Sequence, residues 1–382
     1  MKKQLIFLLV LVQLSFFSYS QIPSLSEKAV FSILTVDVAQ ESHTLYGHTA
    51  LRIQDPMAGF DVVYNYGMFD FRTPNFILKF IKGDLQYYAA VYPYADFEYA
   101  YRDENRSIYE QRLNLSSLEK NKLFEKLNHS VFSKSKYYTY KFIDRNCTTK
   151  VIDILNSTLE DKPIINTLHK EETYREVLYN YQTKQYWLNL GINIIFGHRP
   201  DEQAELLFLP LDLMKVLEVT QHNGKPLAEK PQTLYKTTAK DKPFSLLNSC
   251  IPLIIVLLIF VLLNKKGLNI IFFTLIGCFG IFFMIVNVYS LHREVTWNYN
   301  ILLFNPFYLV LVYFFFKKQI QIASKVAFLC FISMGIYLVY MLNKPHLFLI
   351  SPLFITNLVI LLRFYKKNLA KKISYDNKTF IC

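Results

Sequence analysis

From Cys250 onward the chain is apolar in a way that leaves few folds open. Five segments, about 248–264, 268–290, 301–316, 322–341 and 346–363, are dominated by Leu, Ile, Val and Phe. Each approaches the roughly 20 residues that carry a helix across hydrocarbon, the first and third being short. Lipid offers no partner to a backbone N–H or C=O, so such segments are expected as helices that satisfy their own hydrogen bonds. The basic residues fall unevenly between them. Lys265 and Lys266 lie in the first connection, Lys317, Lys318 and Lys325 surround the third, and Arg363, Lys366, Lys367, Lys371 and Lys372 come after the fifth. The other two connections carry only Arg293 and Lys344. A Lys/Arg excess marks the cytoplasmic side of a membrane, so the tail is expected in the cytoplasm.

The N-terminus gives the same orientation independently. Met1-Lys2-Lys3 and the run Leu5–Phe17 form a basic region and an apolar core, and Ser18-Tyr19-Ser20 supplies small residues for cleavage before Gln21. A retained N-terminal anchor is the alternative; in both cases the region from Gln21 is exported. An exported N-domain and five spans put the C-terminus in the cytoplasm. The expected organisation is a signal peptide at 1–20, one periplasmic domain at 21–245, a five-helix transmembrane domain at 246–366 and a cytoplasmic tail at 367–382, in the inner membrane.

The formal net charge of +12 would suggest nucleic acid in a soluble chain. Here much of it flanks apolar segments, where it meets anionic headgroups, and no nucleic-acid motif is present. The exported histidines (His43, His48, His129, His169, His198 and His222) show no metal-binding spacing, and there is no glycine-rich phosphate loop. Neither a metal nor a nucleotide cofactor is expected.

Within 21–245, Val30–Val36 reads as a strand. Thr49–Ile53 and Asp61–Gly67 read as a hairpin turned by Gln54-Asp55-Pro56 and Gly59. A short helix over Phe76–Ile81, closed by Gly83, precedes a tyrosine-rich strand at Leu85–Tyr92. Ser116 with Glu119 three positions on signals a helix start. Short helices are also expected at Glu171–Asn180, Gln182–Gly191, Gln203–Leu206 and from Pro210 to Val219, and Gln221–Phe244 reads as a hairpin and linker.

Five cysteines occur, and only Cys147 lies in the exported region. It cannot form an internal disulfide there, so it is a free functional thiol, half of an intermolecular bond, or a buried structural residue. Its neighbourhood favours function. The extended stretch ending at Phe142 gives way to helical spacing at Val151, Ile154 and Leu155, and Cys147 falls at the change. A cysteine in a helix's first turn meets unpaired N–H groups and the positive end of the helix dipole, which favour thiolate. A thiol nucleophile needs a base, and His48 comes directly after Gly47 at the head of a strand. Asn65, on the neighbouring strand, is positioned to orient the imidazole. Arg52, on the His48 face, either binds a phosphate or pairs with Asp61 or Asp70. Between the second and third spans, Leu291–Asn300 sets polar groups and an aromatic ring on the same side of the membrane as Cys147.

The strings Leu45-Tyr46-Gly47-His48-Thr49-Ala50-Leu51-Arg52-Ile53, Val63-Tyr64-Asn65-Tyr66-Gly67, Asn75–Phe80, Asn146-Cys147-Thr148-Thr149 and His292…Trp297-Asn298-Tyr299-Asn300 together resemble the lipoprotein N-acyltransferase family of Bacteroidota. The resemblance covers nearly the whole chain. It implies an α+β periplasmic domain, similar in motif order to circularly permuted papain-like proteins, followed by an all-α five-helix membrane domain. It implies transfer of an acyl chain from a membrane phospholipid, through a Cys147 thioester formed with His48 as base, to the α-amino group of diacylated lipoproteins. Cys147, His48 and Asn65 are then the catalytic candidates; Arg52, Asn146, His292, Trp297, Asn298 and Asn300 are the substrate-binding candidates. The rival expectations are a membrane-anchored cysteine lipase, amidase or peptidase, and a non-enzymatic envelope scaffold with a structural Cys147.

Overall fold

The computed structural model describes residues 25–41, 44–238 and 243–379; the expected signal peptide and His43 lie outside them. Strands β1 (Val30–Val36), β2 (His48–Asp55), β3 (Phe60–Met68), β4 (Gln86–Pro93), β5 (Ile108–Arg112) and β6 (Tyr137–Thr139) belong to one sheet. A small hairpin of β7 (Gln221–His222) and β8 (Lys225–Pro226) precedes β9 (Gln232–Tyr235), which completes that sheet. The order is β6-β4-β3-β2-β1-β5-β9, with every pair antiparallel.

Period-2 alternation explains how the sheet is covered on both faces. Phe31, Ile33, Leu51, Ile53 and Tyr64 point to one side. There they pack on helices α3 (Ser117–Phe132) and α4 (Cys147–Thr158) through Leu123, Leu127, Val151 and Leu155. Leu34, Val36, Ala50 and Val63 point to the other side and meet Phe97. Phe97 is the sole buried residue of α2 (Tyr94–Asp103). The helix between α1 (Phe76–Lys82) and α3 was not expected from sequence. Its four charged residues, Asp96, Glu98, Arg102 and Asp103, leave little apolar signal around one buried phenylalanine.

Helices α5 (Tyr174–Gln182), α6 (Tyr186–Ile195) and α7 (Pro210–Leu217) come next, close to expectation. Gln203–Leu206 is not helical: Gln203 bridges Thr173 in extended form, and a single 3₁₀ turn lies earlier, at Arg199–Asp201. The stretch expected as hairpin and linker also contributes β9, because Gln232–Tyr235 finds the open edge of β5.

The membrane half contains α8 (Cys250–Leu263), α9 (Lys266–Tyr289), α10 (Phe307–Phe316), α11 (Ile320–Met341) and α12 (Leu347–Thr379). Among the described residues, four helical stretches are long and apolar enough to cross a membrane: Lys266–Tyr289, Arg293–Phe316, Ile320–Met341 and Leu347–Lys367. The second of these gains its length from 3₁₀ turns at Arg293–Val295 and Tyr299–Leu302 ahead of α10. The fifth apolar helix, α8, has 14 residues. At 1.5 Å per residue it reaches about 21 Å, against a hydrocarbon core of about 30 Å. Small residues bring the spans together: a Cβ on Gly280 would lie 1.9 Å from the Phe304 carbonyl oxygen, the close approach typical of membrane helix contacts.

The two halves share a core. Leu190 of α6, with Ile194, Tyr186 and Tyr179, packs into the membrane cluster around Phe273, Tyr308 and Tyr337.

Candidate active site

Cys147 is the first residue of α4, and the turn before it is heavily built. Asn146 is the N-cap: its side-chain oxygen accepts from the Thr149 N–H at 3.0 Å, and the Thr149 hydroxyl accepts from the Asn146 N–H at 2.9 Å. The Asn146 amide also donates to the Phe142 and Phe208 carbonyls, each at 2.9 Å. The amide thus spends its capacity on the protein rather than on substrate, and it fixes where the thiol stands. Asn146→Ala removes a cap and leaves buried acceptors unpaired, so a loss of roughly 2–4 kcal/mol is expected. Thermal unfolding of the purified chain checks it; Asn146→Asp, which keeps the cap but not the two donations, should fall in between.

His48 is placed from the other side. Gly47 has φ +79°, and a Cβ there would sit 2.7 Å from the Val36 carbonyl oxygen, so only glycine makes this turn without strain. His48 then opens β2 opposite Val36. One residue on, the Thr49 hydroxyl meets the Thr148 hydroxyl at 3.0 Å, both residues fully buried, and ties the histidine strand to the cysteine helix. Asn65 lies on β3 opposite Ala50, two residues along the same face from His48. Its Oδ1 is 2.6 Å from His48 Nε2. Its Nδ2 donates to the Tyr92 hydroxyl at 2.5 Å, which fixes the amide's orientation. An amide oxygen only accepts, so Nε2 carries a proton and the other ring nitrogen is left for Cys147. The imidazole stacks on Tyr101 with centroids 6.0 Å apart.

The electrostatics arise from this geometry. Burial alone would push the Cys147 thiol up. The His48 charge, its hydrogen bond and the Thr49 backbone N–H outweigh burial and bring the thiol from its ordinary 9.0 to about 7. Burial likewise opposes the imidazolium, but the Cys147 thiolate, its hydrogen bond and Asn65 raise His48 above its ordinary value. Each group holds the other in its charged form.

Of the remaining candidates, the structure brings none to the thiol as a free polar group. Arg52 is spent on a fork with Asp61 (2.7 and 2.6 Å), on Glu110 at 3.0 Å, and on the Tyr94 ring, 3.5 Å from its Cζ. At about 3.3 Å per residue it stands about 13 Å along β2 from His48. The 290–300 loop is a clamp between the two halves. His292 Nε2 donates to the Phe80 carbonyl at 2.9 Å. The Asn298 amide donates to Ile194 and Ile195 (2.9 and 3.0 Å), and the Asn300 amide to Asn193 and Ile194 (3.1 and 2.9 Å). These carbonyls end helices α1 and α6, where the last four lack intrahelical donors. Trp297 is more exposed, at 80 %, than the loop's other exposed apolar residue, Leu291.

Sequence reasoning missed four contributors: Tyr92, Tyr101, Gly197 and Glu294. The two tyrosines are lost among 27 in the chain. Glu294 does carry a signal, being an acid at the mouth of an apolar span. It is 1 % exposed, accepts from the Ile143 N–H at 3.1 Å, and so braces the turn that leads to Cys147.

A thiol–imidazole–amide relay, in a sheet domain clamped onto apolar helices of membrane-crossing length, defines a class of membrane-attached protein with a poised cysteine. Residues 24–180 match the family described as the Lnb N-terminal periplasmic domain, and residues 238–373 match the Lnb transmembrane domain. The chain therefore belongs to the Lnb-type lipoprotein N-acyltransferase family, with a periplasmic domain followed by a membrane domain, and its family role lies in lipoprotein maturation. No curated protein and no solved structure matches the chain.

Proposed function

We propose that this protein moves one acyl chain from a membrane phospholipid, through a thioester on Cys147, to the α-amino group of a diacylglyceryl-cysteine lipoprotein. The observation that carries the reading is the relay from Asn65 through His48 to a thiol brought down to about 7. The domain bearing it is docked on the membrane helices.

In the first half-reaction the Cys147 thiolate attacks the ester carbonyl carbon. The Cys147 backbone N–H, in the first turn of α4 where no intrahelical acceptor exists, serves the developing oxyanion. Collapse breaks the ester C–O bond, and His48 gives its proton to the departing oxygen, releasing a lysophospholipid. His48 is now neutral. In the second half-reaction the lipoprotein amine, neutral when it attacks, forms the C–N bond and passes its proton to His48. The C–S bond breaks and the thiolate–imidazolium pair returns. A buried thioester limits attack by water, which favours transfer over hydrolysis.

The order of elements, histidine strand before cysteine helix, supports a circularly permuted papain-like reading of the periplasmic domain. The charge bias supports an inner-membrane protein with five apolar helices and a cytoplasmic C-terminus. A membrane-anchored hydrolase would need one anchoring helix and no clamp. Intact-mass measurement of the full chain in phospholipid nanodiscs tests the first step. The expected result is a single acyl adduct, removed by neutral hydroxylamine and absent from Cys147→Ala. An adduct that persists in the variant would sink the thioester.

A further inference from the structure

No residue of helix α1 is fully buried, and Phe76 alone of its apolar residues packs partly against the core. Ile77, Leu78, Phe80 and Ile81 are 69, 59, 50 and 41 % exposed. A helix of seven residues does not hold itself together in water, and a contiguous apolar patch of this kind marks an interaction surface. Its position says what covers it. The carbonyls of Phe80, Ile81 and Lys82, at its C-terminal end, are taken by three successive residues just past the span Lys266–Tyr289. His292 Nε2 donates to Phe80 at 2.9 Å, the Ser290 hydroxyl to Ile81 at 2.9 Å, and the Leu291 N–H to Lys82 at 2.6 Å. Gly83 closes the helix at φ +78°, and a Cβ there would be 2.9 Å from the His292 ring. The helix is thus pinned to the chain at the level where an apolar span leaves hydrocarbon. Lys79 and Lys82 in its last turn, and the exposed Trp297 of the same loop, are the residue types that settle at that level.

From the helix a row of rings runs inward. Phe76 lies 5.8 Å from Phe69, Phe69 lies 5.2 Å from Tyr87, and Tyr87 stacks on Tyr140 at 4.5 Å. Gly67 is the last step: a Cβ on it would sit 3.7 Å from Tyr140 and 3.9 Å from the Cys147 Cβ. A continuous run of packed aromatic rings therefore links the exposed helix to the residues beside the thiol.

We infer that helix Phe76–Lys82 lies in the membrane interface, its apolar side chains among lipid, and that with the Phe69–Tyr87–Tyr140 row it guides the acyl ester of a bilayer phospholipid to Cys147. The guiding role rests on the acyl-transfer reading; the membrane contact stands without it. The adjoining apolar span ends against this helix with Ile285, Val288 and Tyr289 exposed, and that continuity with a membrane-crossing surface makes lipid the occupant rather than a protein partner.

Two measurements on the full chain in nanodiscs test this. The first places a tryptophan on the helix, Leu78→Trp, and compares quenching by phosphatidylcholine brominated near the carbonyls with that of the parent and its two native tryptophans. Added emission that is strongly quenched by the shallow bromines is expected; added emission that they leave unquenched overturns the membrane contact. The second compares Ile77→Asn/Leu78→Asn with wild type in acylation of Cys147 by bilayer phospholipid and by p-nitrophenyl butyrate in water. The ratio of the two rates is expected to fall by about 10-fold or more, since two apolar side chains are lost from lipid, with thermal unfolding unchanged. An unchanged ratio overturns the guiding role. A wild type acylated by neither donor removes the acyl-transfer reading and the guiding role together, and the quenching result still decides the membrane contact.

Discussion

His48→Ala is expected to return the Cys147 thiol from about 7 to at least its ordinary 9.0. Burial is the largest influence on the thiol and acts upward; the histidine's charge and hydrogen bond are the next and act downward. With them gone, burial dominates. A thiol reacts as thiolate, which is present above its pKa. Alkylation of the wild type by iodoacetamide should therefore rise through about pH 7, and that of the variant only near or above pH 9. At pH 7 about half of the wild-type thiol is ionised and about 1 % of the variant's, a difference of about 50-fold. Loss of the proton donor to the leaving oxygen adds about 10²-fold or more. Acyl-enzyme formation should fall by about 10³-fold or more in total. An alkylation profile that does not move in His48→Ala would disconnect the two residues. Asn65→Ala acts through the imidazole and should shift the profile in the same direction by less.

The second large effect lies away from the thiol. Gly197 sits at the centre of the seam: its N–H donates to the Glu294 carbonyl at 2.7 Å, and its own carbonyl accepts from the buried Arg175 at 2.7 Å. A Cβ on it would lie 1.9 Å from the Thr296 carbonyl oxygen and 2.9 Å from the Asn298 nitrogen. Both are backbone atoms of the 290–300 loop, so no side chain can swing away. Gly197→Ala must push the 290–300 loop off α6, along with Glu294, which braces the Ile143 N–H. Overpacking of this kind costs roughly 1–3 kcal/mol, and a displacement of about 1 Å at a positioned group costs about 10²-fold in rate. Hydrogen exchange should show lost protection at the Gly197 and Leu291 amides, with acylation by bilayer phospholipid falling about 10²-fold. Retained protection in Gly197→Ala would mean that the clamp tolerates the methyl group.

What the sequence disclosed and what it withheld divide along physical lines. The cysteine at a helix start, the histidine after a glycine at a strand head and the asparagine on the next strand are local signals, each carried by a few adjacent residues, and the fold brings all three together. Ser116–Glu119 marked its helix for the same reason. The functions of Asn298, Asn300 and His292 were not legible, because a polar loop between apolar spans has the same composition whether it meets headgroups or caps the carbonyls of a distant helix. Arg52 was ambiguous until its partners were seen: a guanidinium beside two carboxylates and one beside a phosphate site read alike. Helix α2 escaped because a single buried phenylalanine among charges leaves no period to detect, and β9 because an edge strand of four residues is defined by the edge it joins.

Acyl transfer from phospholipid to a lipoprotein amine through Cys147 leaves its mark on the acceptor. The decisive quantity is the mass of the lipidated N-terminal peptide of a reporter lipoprotein, from cells that lack their own N-acylation and express either this chain or its Cys147→Ala variant. One added acyl chain, held as an amide on the terminal cysteine, is expected with the wild type alone. The same gain with both would contradict the mechanism by removing Cys147 as the nucleophile. No gain with a well-expressed wild type, accompanied by free fatty acid, would contradict transfer and leave a hydrolase.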